Sequence, residues 1–264
     1  MELSRQSEAG VKAMVERRNR QTTKMASRKA PMTVPGGAKT DDWIHESQVR
    51  STLSHAEILR VSTDLTLLNR RMFQPMATLV TPQGVIDALN RAGVRPVLMG
   101  TYGLAGWRGQ SRATQDVDVL VRKKDVRKAM KCLQEAFPTL VVKDMEVVAR
   151  FTDPEIGEVV LDLMKPTDEL YKLVFRYTIP VGQTHDIPDL EMALVSKFAA
   201  MISPLRLPEK RLVDAGDFMR MVRINRQAID LPKLYRLADR VYLQGSAEMA
   251  SLIRDTDAGR TIQL

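Results

Sequence analysis

Between Gln115 and Arg122 the chain reads DVDVLV, six residues in which an acid or a leucine alternates with valine. A period of two fits a β-strand, so Asp116, Asp118 and Leu120 share one face and Val117, Val119 and Val121 the other. The valines need an apolar layer behind them. The two carboxylates, side by side, are unfavourable unless a cation or a bound proton offsets them, and hard oxygen ligands of this kind suit Mg2+ or Mn2+. A third acid, Asp162, stands in a second strand pattern, VVLDLM, among apolar neighbours. A carboxylate buried there needs a partner, and a metal shared with Asp116 and Asp118 provides one.

The segments around these strands complete an α/β (α+β) pattern. After Pro82, GVIDALNRAG reads as a helix closed by Gly93, and Pro96–Met99 as a short buried strand. A helix is expected over TYGLAGW, then the strand DVDVLV, a helix KKDVRKAMKCLQEAF that stops at Pro138, and a strand TLVVK. Glu146–Phe151 and Glu158–Met164 flank the turn TDPEIG and are predicted to pair as a hairpin, so the sheet is mixed. From Ile187 onward the pattern is helical, through DLEMALVSKFAAMI, KRLVDAGDFMRMV and LPKLYRLADRVYL, with a break at LRLP. The predicted organisation is a basic tail over 1–50, a helical brace over 51–80, a small mixed-sheet core over 81–184 and a C-terminal helical subdomain over 185–264. Apolar spacing over 55–73 is uneven for a helix.

A net charge of +8 and a pI near 9.7 favour an anionic partner, nucleic acid or nucleotide. The excess is concentrated at the start: Arg5, Lys12, Arg17, Arg18, Arg20, Lys24, Arg28 and Lys29 face only Glu2, Glu8 and Glu16 within residues 1–30. The tail is too polar to bury a core and is read as mobile; part of it, over 8–20, has the pattern of a helix, and its functional reading is a nucleic-acid arm against the plain alternative of a solvated terminus. Several function classes drop out. No apolar run approaches the ~20 residues of a membrane span, and the first residues lack the apolar region of a secretory signal, so a cytoplasmic protein is expected. A lone Cys132 excludes an intrachain disulfide framework, and His45, His55 and His185 are too scattered for zinc, His185 reading as a loop residue.

Gly100-Thr101 follows the strand at 96–99 and opens the helix TYGLAGW, a place where backbone N–H groups and the helix dipole attract phosphate and Thr101 adds a hydroxyl. Glycines at 100, 103, 106 and 109 fit neither the dinucleotide fingerprint nor the phosphate loop, and point to close backbone packing. Arg112 and Thr114 stand just before the first aspartate, at the rim of the same site, where phosphate or acceptor would arrive.

With these residues in view, GT…GQSRATQDVDVLV resembles the polymerase-beta-like nucleotidyltransferase superfamily: a glycine pair, a short helix, Thr-x-Asp-x-Asp on a strand, and a third acid on a later strand. LEMALVSKFAAMI followed by KRLVDAGDFMRM is similar to the compact bacterial members found as toxins of abortive-infection and toxin–antitoxin systems. The resemblance spans about residues 80–225. It implies Mg2+-dependent transfer of a nucleoside monophosphate from an NTP to an acceptor hydroxyl, with tRNA or other RNA among the acceptors and a neutralising antitoxin among the partners. It also implies that Asp116 and Asp118 bind metal, that Asp162 shares that metal site and helps activate the acceptor, and that Gly100-Thr101 holds triphosphate. Lys197 and Asp214 or Asp217 match the lysine and acids on the later helices of such toxins. Two features depart from the pattern: Thr101 replaces the commoner Gly or Ser, and the gap from Gly100 to Asp116 is about one residue long. Read without the resemblance, Lys197 suits the solvated face of an amphipathic helix, and Asp214 and Asp217 suit surface pairs with Lys210 and Arg220. A non-catalytic module binding nucleotide, nucleic acid or a protein is the alternative to an enzyme.

Overall fold

The computed structural model describes residues 54–262; the expected tail over 1–50, its helix at 8–20 and His45 lie outside the described residues. Helix α1, His55–Phe73, opens on a capping box in which the Ser54 hydroxyl accepts the Glu57 N–H and the Glu57 carboxylate accepts the Ser54 N–H. Thr81 caps α2, Pro82–Arg91, with Pro82 in the first turn, where a missing N–H costs nothing. Strand β1, Val97–Leu98, leads into two four-residue helices, α3 (Gly100–Gly103) and α4 (Ala105–Arg108). The expected helix TYGLAGW is thus broken at Leu104. Strand β2 is Val117–Leu120, and α5, Val126–Ala136, is preceded by a 3-10 turn over Lys123–Asp125.

Strands β3 (Val141–Asp144), β4 (Val148–Asp153) and β5 (Glu158–Met164) follow, and then α6, Glu169–Val174. Strands β6 (Thr178–Val181) and β7 (His185–Pro188) correct the expectation that His185 lies in a loop and that the pattern from Ile187 onward is helical. Both are four residues long and each contains a proline, the signature of a break. The prolines are tolerated because β6 is an edge strand, whose outer side needs no N–H donor, and Pro188 is the last residue of β7. Four helices close the chain: α7 (Leu190–Ile202), α8 (Pro208–Asn225), α9 (Leu231–Val241) and α10 (Gly245–Asp257).

The seven strands form one mixed sheet in the order β3-β4-β5-β2-β1-β7-β6. The predicted hairpin is present as antiparallel β4 and β5, while β5 runs parallel to β2 and β2 antiparallel to β1. Strand β2 lies centrally, and its alternation feeds two cores. Val117, Val119 and Val121 pack with Ile86, Leu89 and Leu133 under α2 and α5. Leu120 packs with Phe198 and Phe218 of α7 and α8 on the opposite face. Helix α7 is buried nearly all round, as its apolar composition requires. Each fully buried phenylalanine or leucine here contributes roughly 1.5–3 kcal/mol. The fold is α+β: a mixed sheet followed by a helical subdomain. Among the described residues, no helix is long and apolar enough to cross a membrane.

Candidate active site

Strand register brings the three aspartates together. Asp118 on β2 is directly opposite Asp162 on the parallel strand β5, and Asp116 stands two residues earlier on the same face as Asp118. One carboxylate oxygen from each of the three lies within 4.8 Å of the other two. The apolar residues that alternate with them, Val117, Val119, Leu161 and Leu163, are buried beneath the sheet and fix the backbone from which the acids project.

Electrostatics make this a strained cluster. Desolvation, with the charges of Asp116 and Asp162, pushes the Asp118 carboxyl well above the usual carboxylate range, and Lys197 and Arg206 only partly oppose it. Burial raises Asp162 to about 6, against the lowering influence of Arg150, while Asp116 raises it further. Asp162 Oδ1 is buried without a hydrogen-bond donor; Arg150 Nε is 3.5 Å away. Three mutually repelling carboxylates with a buried oxygen lacking a donor form an all-oxygen set, and a divalent hard cation fits them.

Gly100 stands directly against this cluster. It has φ +56°, and a Cβ built there would fall 1.8 Å from Asp118 Oδ2, so no other residue leaves room for the carboxylate. The Met99 N–H donates to the Asp118 carbonyl, and the Met99 carbonyl accepts the Gly103 N–H, which leaves the backbone N–H groups of 100–102 at the open end of the turn. Thr101 Oγ1 accepts a hydrogen bond from Arg112 Nη2 at 2.8 Å. Thr114 faces the acids: its hydroxyl donates to Asp116 Oδ1 at 3.2 Å.

The segment carrying Arg112 and Thr114 is held by α1. The Arg112 N–H donates to Ser62 Oγ, the Thr114 N–H to Thr66 Oγ1, and Arg70 Nη2 to the Gln115 carbonyl. Ser62, Thr66 and Arg70 are spaced four apart, so one helix face grips the chain just ahead of Asp116. The brace expected over 51–80 therefore grips through polar residues, which is why its apolar spacing is uneven.

Lys197, Asp214 and Asp217 are not surface charges. All three are buried, and Lys197 Nζ donates to Asp214 Oδ1 at 2.8 Å and to Asp217 Oδ2 at 2.7 Å. The expected surface pairing with Lys210 and Arg220 is overturned because α7 and α8 pack together on the face that carries these groups. Asp217 also meets Arg108 Nε at 3.4 Å and Arg112 Nη1 at 3.2 Å, and Asp214 accepts a hydrogen bond from Arg206 Nε. Four cations thus surround two carboxylates, and the excess positive charge adjoins the three aspartates through Lys197, Arg206 and the Arg112–Thr101 contact.

Arg108, Arg150 and Arg206 belong to the neighbourhood of the site, and no motif in the sequence marks them. A signal exists for Arg150: pairing the two strands across TDPEIG sets it opposite Asp162. Arg108 and Arg206 depend on how α8 packs, for which the sequence carries no local sign.

No protein-family model matches the chain, and no curated protein matches it. Some solved structures are similar to it. The solution structure of the antibiotic-resistance factor ANT(2'')-Ia shares 13% identity at TM-score 0.42, covering 67% of this chain and 93% of that one. The Megavirus polyadenylate synthase shares 14% identity at TM-score 0.41, covering 75% of this chain and 40% of that one. Terminal uridylyl transferase 4 from Trypanosoma brucei, with bound GTP, shares 13% identity at TM-score 0.29, over 65% of this chain and 57% of that one.

Proposed function

We propose that the chain is a divalent-cation-dependent nucleotidyltransferase that moves a nucleoside monophosphate from an NTP to an acceptor hydroxyl. The observation that carries this reading is the convergence of Asp116, Asp118 and Asp162 beneath Gly100, whose missing side chain makes space for the middle carboxylate. Mg2+ or Mn2+ held by these three acids would neutralise triphosphate charge and keep attacking and leaving oxygens in line. The protein's own groups divide the remaining work. Backbone N–H groups at 100–102 and the cations Arg112, Lys197 and Arg206 receive the triphosphate, and Asp214 and Asp217 hold those cations in place.

Asp162 takes the proton of the acceptor hydroxyl as its oxygen forms a bond to the α-phosphorus. The bond from that phosphorus to the bridging oxygen breaks, and pyrophosphate departs with the electron pair. A carboxylate raised towards the working pH by burial, as Asp162 is, suits the acceptance of such a proton. The acceptor we favour is RNA, with the 3′ end of tRNA as the specific case, because the chain is basic. A toxin-type enzyme, acting in the cytoplasm and neutralised by an antitoxin protein, is the biological setting suggested by the sequence of α7 and α8.

A second reading, a non-catalytic module that binds nucleotide, has one observation in its favour. The Thr101 hydroxyl and Arg112 engage each other, and Arg112 also engages Asp217, so nucleotide must compete for these groups. The test incubates purified protein with Mg2+ or Mn2+, each α-labelled NTP and total tRNA, beside an Asp116→Ala/Asp118→Ala variant. Label reaching RNA or protein only with the acids intact supports the enzyme. A thermal shift with nucleotide and metal but no transfer to any acceptor favours the binding module.

A further inference from the structure

The sheet register that aligns two of the acids continues beyond them. Asp118 on β2 faces Asp162 on β5, Asp162 faces Arg150 on β4, and Arg150 faces Lys143 on β3. Residues directly opposite in neighbouring strands point to the same face, so Asp118, Asp162, Arg150 and Lys143 form one row across the sheet. At ~4.8 Å per strand, Lys143 stands about 10 Å from Asp162, towards the edge strand. The acids end the row on one side and cations end it on the other.

The cationic half is open. Arg150 and Lys143 are exposed, and Val141, on the same face of β3, is 58% exposed. The opposite face of β4, with Ala149 and Phe151, is fully buried. Like charges directly opposite each other in a sheet are destabilising; Arg150 has the ion pair with Asp162, but Lys143 has no hydrogen bond or ion pair among the described residues. Lys210, in the first turn of α8, is also exposed and unpaired among the described residues, and its charge acts on Asp162. Arg150 thus borders the carboxylate that the proposed chemistry assigns to the acceptor hydroxyl, Lys143 continues the row beyond it, and Lys210 lies near enough for its charge to act on Asp162.

We infer that the cationic end of this row is the acceptor track: Arg150 and Lys143, with Lys210 of α8 beside them, bind the phosphodiester backbone of a single-stranded RNA whose terminal hydroxyl meets Asp162. The inference rests on the nucleotidyltransferase reading for the role of Asp162, but the binding surface is testable without turnover. A polyanion resolves the repulsion between Arg150 and Lys143, whereas a polycationic acceptor would be repelled from the approach to Asp162. The row leads away from the acids along the sheet, so the strand would extend towards β3 with only its last nucleotide at the reaction centre.

The experiment measures anisotropy of a labelled single-stranded RNA with the full chain across a series of salt concentrations, in magnesium-free buffer and without NTP. It compares the intact protein with Lys143→Gln/Arg150→Gln and with the charge-conserving Lys143→Arg/Arg150→Lys. Removing two phosphate contacts should lower the slope of log affinity against log salt by about 1.4 and weaken binding about tenfold or more at low salt. The charge-conserving variant should keep both slope and affinity near the intact values. In the transfer assay, Lys143→Gln alone should raise KM for RNA far more than it lowers kcat.

RNA binding with an identical slope in the Gln variant would overturn the track, as would no RNA binding by the intact chain at low salt. Transfer to a small hydroxyl compound with neither effect on RNA would leave the nucleotidyltransferase reading standing without the track. RNA bound with the expected slope change, but never labelled, would support the track and sink the transfer reading. Circular dichroism of each variant distinguishes a lost contact from a lost fold.

Discussion

Gly100 and Asp118 occupy space that only a residue without a side chain leaves free: a Cβ on Gly100 would lie 1.8 Å from Asp118 Oδ2 and 2.8 Å from its Cγ. Gly100→Ala should force the carboxylate aside and also strain a backbone at φ +56°, at a cost of roughly 1–2 kcal/mol. A displacement of about 1 Å at a reacting centre lowers turnover about a hundredfold. Transfer measured with labelled NTP should fall by that order while the melting temperature drops only modestly. Transfer at the intact rate would detach Gly100 from the site.

Thr66 is a positioning residue one step behind the acids. Its hydroxyl accepts from the Thr114 N–H and from Tyr102 Oη, and Thr114 in turn donates to Asp116. Thr66→Val keeps the shape but leaves those two donors unsatisfied, each costing about 1–3 kcal/mol when buried. Chemical denaturation should show that loss. The magnesium concentration needed for half-maximal transfer should rise if Thr114 no longer orients Asp116; a stability loss with an unchanged metal requirement would mean that Thr66 only holds the fold.

These contacts show what was and was not legible in the sequence. Strand β2 is legible because valine alternates with acids over a full element, and β5 because its length and apolar content agree. Helix α1 reads unevenly because its gripping face is Ser62, Thr66 and Arg70, polar residues at helical spacing that no apolar count detects. The burial of Lys197, Asp214 and Asp217 is invisible for a related reason: each residue suits a solvated face locally, and only the packing of α7 on α8 brings opposite charges together. Strands β6 and β7 are hidden by Pro180 and Pro188, which read as breaks until the sheet shows an edge and a strand end to receive them.

The Lys197 ammonium is the shared partner of two buried carboxylates, so Lys197→Met should be severe. Removing one partner from a buried ion pair costs about 3–5 kcal/mol because the remaining charge is stranded. Arg108, Arg112 and Arg206 would remain to offset part of it. Urea unfolding of the variant should give a midpoint well below that of the intact chain. The double change Lys197→Met/Asp214→Asn should recover much of the difference, because the other partner of Asp214, Arg206, is exposed, while Asp217 keeps Arg108 and Arg112. No recovery would show that the cost lies in packing around the side chain.

Acid should loosen the contact between α1 and the start of the site. The His55 ring accepts the Gly106 N–H at Nδ1, and burial, with the neighbouring His185, lowers its pKa to about 4. A histidine held neutral in the fold but titrating near 6.5 when unfolded contributes stability that is fully present above 6.5. That stability is lost progressively as pH falls towards 4, up to roughly 3 kcal/mol. His185, also lowered by burial, adds in the same direction. The melting temperature of the intact protein should therefore fall between pH 7 and pH 5. His55→Asn, whose amide oxygen can still accept from Gly106, should show a shallower fall, and equal slopes would assign the acid sensitivity elsewhere.

Metal-free protein should be stabilised by removing one of its own acids. The Asp118 carboxyl is raised well above its ordinary range, first by burial and then by Asp116 and Asp162, so its charged form opposes folding. The sign follows: its destabilising effect is absent below the unfolded pKa and grows as pH rises towards the folded one, the reverse of the histidine effect. In a chelator at neutral pH, Asp118→Asn should melt above the intact protein. Saturating magnesium should invert that order, since binding at a hundred times Kd adds about 2.7 kcal/mol to a protein with the site and little to one without it. If Asp118→Asn lowered the melting temperature in chelator, the acids would be mutually satisfied without a cation, and the reason for placing a metal among them would be gone.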